Sequence, residues 1–105
     1  MISVEIFTNE DGMITGYTVA GHSGTAKRGQ DIVCAGVSAL TQSALLGIKE
    51  HLHRIVDYDI ASGNLRIRLK EPDDSTEAIL RTMYIGLAEI EKISPKSIRI
   101  QEVKG

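Results

Sequence analysis

The stretch Ala20-Gly21-His22-Ser23-Gly24-Thr25-Ala26-Lys27-Arg28-Gly29-Gln30-Asp31-Ile32-Val33-Cys34-Ala35 joins a strand pattern to a helix pattern. It holds the only cysteine of the chain, one of its three histidines and three of its ten glycines. Glycine is favoured where the backbone takes φ > 0 or passes close to a ligand, so this density describes a shaped loop. Asp31 has the chemistry of an N-cap, because its carboxylate can accept the orphan N–H groups of the next two or three residues. With Asp31 as cap, Cys34 becomes the third helical residue. There the unpaired N–H groups and the helix dipole favour negative charge, and hence the thiolate. His22 leads into the same loop and can serve as its base. The stretch reads as a Cys–His active site.

Working outward, Ile2, Val4 and Ile6 alternate with Ser3, Glu5 and Phe7, the period of a half-buried strand. Asn9-Glu10-Asp11-Gly12 is a turn, and a second strand from about Met13 to Ala20 completes a hairpin. His22 is thereby expected just past the end of a sheet strand, a better anchor than mid-loop. After the loop, Val33, Val37, Leu40, Ala44, Ile48 and Leu52 recur at intervals of three and four, predicting an amphipathic helix from Asp31 to about Leu52. Its small residues, among them Ala35, Gly36, Ala39, Ser43 and Gly47, suit close packing on a sheet or a partner helix. Cys34 falls at the edge of the buried face.

Residues 55–60 read as a short strand and 61–64 as a turn. Leu65, Ile67 and Leu69 then alternate with Arg66, Arg68 and Lys70, giving a strand with one buried and one basic face. Pro72 to Ser75 supply helix-start chemistry, with Asp74 and Glu77 at capping-box spacing. A second helix follows with Ile79, Met83, Leu87 and Ile90 in register. Ser94-Pro95 ends it, and residues 98–101 form a last strand. The order β-β-α-β-β-α-β predicts an α+β, two-layer sandwich with both helices on one face of a mixed sheet.

The chain, 105 residues long, is one domain, and its hydrophobic and charged fractions, 42% and 25%, are ordinary for a globular protein. A net charge of −2 gives no global attraction to nucleic acid. One cysteine cannot form an internal disulfide. No signal-peptide pattern and no run of about 18 apolar residues is evident, so the expected setting is cytoplasmic, with no membrane partner.

Gly21-His22-Ser23-Gly24, followed by residues 29–38, Gly29-Gln30-Asp31-Ile32-Val33-Cys34-Ala35-Gly36-Val37-Ser38, resembles the signature of the ribosomal-processing cysteine protease (Prp) family. That pattern is Gly-His-x-Gly, a short glycine-bearing loop, then Asp-Ile/Val-x-Cys-small-x-x-Ser. The chain's size and element order fit as well. The resemblance implies a compact α/β fold, a homodimer, and His22 and Cys34 as the catalytic pair. It also implies the substrate, the short N-terminal extension of a bacterial large-subunit ribosomal protein (L-twenty-seven), removed after a hydrophobic, aromatic-containing motif.

Thiol protease chemistry then assigns the parts. Cys34 attacks a peptide carbonyl, His22 takes and returns the proton, and helix-start N–H groups, that of Cys34 included, hold the oxyanion. Gly21, Ser23, Gly24 and Gly29 belong to the loop that would close over the peptide. Asp31 is a cap first and an orienting carboxylate second. Ser38, one turn after Cys34, either bonds near the thiol or back-bonds to the Cys34 carbonyl.

Each feature also has a plain structural reading. Cys34 can be a packing residue, and His22 a polar strand end. His51 and His53 are poorly spaced to share a metal, no cluster has zinc-ligand spacing, and no cofactor is expected. Arg66, Arg68 and Lys70 are a solvated strand face. Two other classes therefore stay open, a non-catalytic ribosome-associated binding module and a thiol redox sensor, the latter needing an intermolecular disulfide or small-molecule cap.

Overall fold

The computed structural model describes residues 1–21, 28–61 and 64–105, with backbone alone for 28–31. The expected elements form in the expected order: β1 (Ile2–Thr8), β2 (Ile14–Ala20), α1 (Arg28–Leu46), β3 (Val56–Ala61), β4 (Asn64–Leu69), α2 (Asp74–Ile93) and β5 (Ile98–Lys104). The five strands make one mixed sheet in the order β3-β4-β2-β1-β5. β1 is antiparallel to β2 and parallel to β5, while β4 is antiparallel to both β2 and β3.

Alternation fixes which face is buried. Ile2, Val4 and Ile6 of β1, Leu65, Ile67 and Leu69 of β4, and Ile98 of β5 point to the helix layer and are buried. In β2 the register against β1 slips, Phe7 facing Gly16 and Thr8 facing Ile14. That extra residue puts Ile14, Tyr17 and Val19 into the core together. From α1 come Val33, Val37, Ala44, Leu45 and Ile48, and from α2 Leu80, Met83 and Leu87. Leu40, Ile79 and Ile90 are only partly buried, because they fill the seam between the two helices. Leu40 there packs against Gly86, and Ile90 against Gly36.

Four expectations need correction. α1 begins at Arg28, not after Asp31. Asp31 is therefore a residue of its first turn rather than the cap, and Cys34 lies six residues past the helix start instead of in the first turn. α1 also ends earlier, at Leu46, and passes into a π turn over Gly47–His51, where the Leu52 N–H donates to the Gly47 carbonyl. The capping box of α2 uses Asp73 and Thr76 rather than Asp74 and Glu77. The Asp73 carboxylate accepts the Thr76 N–H and the Thr76 hydroxyl accepts the Asp73 N–H, both at 2.9 Å. Finally, Ile32–His51 is long and apolar enough to cross a membrane by length and composition, since Ala, Gly, Ser and Thr dilute its apolarity very little. Its inner face packs on the sheet, and its outer face leaves Ile32 and Leu46 exposed.

Candidate active site

The α1 backbone determines what Cys34 can do. Only the first four N–H groups of a helix lack an internal acceptor, and in α1 all of them precede residue 31. The Cys34 N–H is inside the helical ladder and is not a free donor for an oxyanion. Its side chain is half-buried, carries a free thiol and packs against the core beside the buried Val33 and Val37. Ser38 follows one turn later, also half-buried, and its carbonyl accepts from the Thr41 hydroxyl at 3.5 Å.

What holds α1 over the sheet is a polar device the sequence did not disclose. The Tyr17 hydroxyl donates to the Thr41 carbonyl at 2.6 Å, and the Thr41 hydroxyl donates to the Val37 carbonyl at 2.8 Å. Both side chains are buried, and burial holds the phenol of Tyr17 well above its ordinary range. The phenol stays a neutral donor. Tyr17 was legible only as a strand residue, because its partner lies on another element.

The exit from β2 is equally defined. Ala20 pairs with Ser3 on one side and Asn64 on the other. Gly21 then takes φ +97°, and a Cβ there would overlap the Met1 carbonyl oxygen. Only glycine fits this corner. The chain leaves towards His22 from the end of the sheet formed by Ala20, Asn64 and Ala61. The short link from the end of α1 to β3 sends β3 back towards that same end, so the early part of α1, which carries Cys34, and the end of β2 lie at one end of the molecule.

His22, Ser23 and Gly24 lie outside the described residues, as do the side chain of Asp31 and the environment of Gly29, whose backbone belongs to α1. At the opposite end of the sheet, His51 and His53 are exposed, with His53 at φ 54°. Among the described residues no group of three His, Cys, Asp or Glu could hold a metal ion.

Comparison with known proteins places this architecture. Residues 1–99 match the family model described as cysteine protease Prp. A ribosomal processing cysteine protease Prp of Staphylococcus aureus is 35% identical over 104 residues, covering 95% of this chain and 97% of that one. An essential ribosomal processing protease Prp from S. aureus, crystallised in complex with a substrate peptide, superimposes at a TM-score of 0.91, with 30% identity over 98% of this chain and all of the other. The S. aureus enzyme with a covalently linked product peptide gives 0.87 and 31% identity, over 98% of this chain and all of that one. A protein of Streptococcus mutans, 20% identical, shares the fold over the whole chain and 99% of its own length at 0.91.

Proposed function

The chain belongs to the cysteine protease Prp family and is a cysteine protease, and from that premise we propose that it removes the N-terminal extension of a bacterial large-subunit ribosomal protein (L-twenty-seven) with a His22–Cys34 dyad. The observation that carries the dyad is that one cysteine exists in the chain, half-buried on the early part of α1, the helix that follows the segment containing His22. A S. aureus relative crystallised with a covalently linked product peptide supports a nucleophile in this fold.

The steps follow thiol chemistry. The Cys34 Sγ, its proton passed to His22, bonds to the scissile carbonyl carbon. The tetrahedral intermediate collapses, the C–N bond breaks, and His22 returns the proton to the departing amine. Water, deprotonated by His22, then cleaves the thioester and restores the thiol. Because the Cys34 N–H is committed to the helix, the oxyanion donors fall to the backbone of the loop and the helix start that precede it. Asp31, one turn ahead of Cys34 in α1, serves to orient His22, and Ser38 supports the thiol from one turn behind.

The working form is a cytoplasmic homodimer that touches neither membrane nor nucleic acid. The net charge of −2 supports the last point. The apolar outer face of the helix layer, with Ile32, Leu46, Ile85 and Ile93 exposed, supports the dimer, and sedimentation at increasing concentration tests it. The test of the function is mass spectrometry of a synthetic peptide spanning the extension. A single cut by the wild type, absent with Cys34→Ala and with His22→Ala, is the expected result. An intact peptide with wild-type protein would overturn the assigned substrate.

A further inference from the structure

β3 is an edge strand that, among the described residues, pairs only with β4. Five of its six residues are exposed. An edge of this length presents a row of backbone donors and acceptors ready to take another strand. Its two faces are chemically different. Towards the helix layer stand Tyr58 and Ile60, 43% and 57% exposed, in register with the buried Ile67 and Leu65 of β4. Towards the open face stand Asp57 and Asp59, opposite Arg68 and Arg66.

Tyr58 is not a loose surface residue. Lys49, delivered by the π turn at the end of α1, donates from Nζ to the Tyr58 hydroxyl at 2.9 Å and sits 4.4 Å from the centre of its ring. π turns in helices recur at functional sites. This one holds an aromatic ring of β3 against the turn that follows α1. The far end of β3, at Ala61, reaches the end of the sheet from which the chain departs for His22.

The charges choose the occupant. Two copies of β3 pairing about a two-fold axis normal to the sheet must set odd-numbered residues opposite odd. The two registers that overlap most of the strand then place Asp59 opposite Asp57 of a second copy, or Asp59 opposite Asp59. Like charges directly opposite are destabilising, whereas opposite charges across a strand pair are favourable. The edge therefore disfavours itself and favours a strand with basic side chains on that face.

Resting on the protease reading, we propose that β3 takes the peptide substrate as a sixth strand, apolar at alternate positions to meet Tyr58 and Ile60 and basic between them to meet Asp57 and Asp59. Strand addition of this kind draws affinity from the backbone and specificity from alternate side chains. Lys49 is a positioning residue that acts through Tyr58.

The experiment has two readouts. Fluorescent peptides of alternating Leu and Lys, or alternating Leu and Glu, are titrated against the full chain by anisotropy, and kcat and KM are measured on the peptide of the ribosomal-protein extension. The wild type binds the Lys peptide over the Glu peptide. Tyr58→Ala and Ile60→Asp each weaken that binding about fivefold or more and raise KM by a similar factor with kcat unchanged. The pair Asp57→Lys with Asp59→Lys reverses the preference. Lys49→Met raises KM and Lys49→Arg restores it, while Lys104→Gln on β5, the opposite edge of the sheet, changes nothing. Equal binding of both peptides, no binding by the wild type, or edge variants that behave as wild type would overturn the proposal. So would edge variants that shift the sedimentation of the protein without altering peptide binding, since they would assign the edge to a second copy. Selective binding without cleavage of the extension peptide would leave the strand site standing and bring down the assigned substrate.

Discussion

The Tyr17 hydroxyl donates to the Thr41 carbonyl across 2.6 Å, a buried bond that ties β2 to α1. It sits two turns along the helix from Cys34. The strand that precedes His22 in the chain therefore fixes the helix that carries the thiol. Replacing Tyr17 by Phe removes this tie while keeping the ring. A loss of about 1 kcal/mol is expected, read as a fall in melting temperature of roughly 5 °C, together with lower peptide cleavage because α1 is held less exactly over β2.

Gly21 makes a sharper prediction. Its φ of +97° and its approach to the Met1 carbonyl exclude a Cβ, so Gly21→Ala has to open the corner at the end of β2. Destabilisation above about 1 kcal/mol is expected. Activity should fall further than stability accounts for, because Gly21 immediately precedes His22, the proposed base. Thermal denaturation and cleavage rate measured on the same sample separate the two effects.

Glu77 closes the far end of the β1–β2 hairpin. Its carboxylate accepts the Ile14 N–H at 2.8 Å and pairs with Arg81 at 2.9 Å, and Arg81 in turn donates to the Gly12 carbonyl. Glu77→Ala leaves the N–H of a fully buried residue without its acceptor, which costs about 2 kcal/mol. Urea denaturation should show this as a lower midpoint with an unchanged slope, and kcat should stay near the wild-type value.

The cap of α2 sets a pH dependence. The Thr76 N–H, and then Arg54, hold the Asp73 carboxyl below its ordinary value. A carboxylate with a depressed folded-state value adds stability above its unfolded value and loses it as pH falls through the folded one. Asp73→Asn should therefore melt below the wild type at neutral pH. The gap should close as the pH drops through the acid side of the carboxylate range. A gap that widened in acid would contradict the cap's role.

The strands were legible because alternation is a local property: Leu65-Arg66-Ile67-Arg68-Leu69 states its buried and solvated faces by itself. The start of α1 was not, because Asp31 offers cap chemistry without showing that the helix has already begun at Arg28. At α2, two adjacent aspartates carry the same cap chemistry. Thr76, whose hydroxyl takes the part expected of Glu77, decides between them. Strand order was out of reach, since pairing depends on contacts between distant segments. With it went everything that rests on that order, such as the Tyr17–Thr41 bond, the π turn that brings Lys49 to Tyr58, and the exposure of β3. At the site, the motif singled out Cys34 and His22 as residue types at a spacing. The helix geometry then withdrew the Cys34 N–H as an oxyanion donor.

The most direct test of the account is kcat/KM on the extension peptide for wild type, Cys34→Ala and His22→Ala, with folding checked by circular dichroism. The account predicts no measurable cleavage by Cys34→Ala and a loss of roughly 10² to 10⁴ in His22→Ala, the range for removing a general acid–base. A folded variant of either kind that kept more than about a tenth of the wild-type value would contradict the dyad.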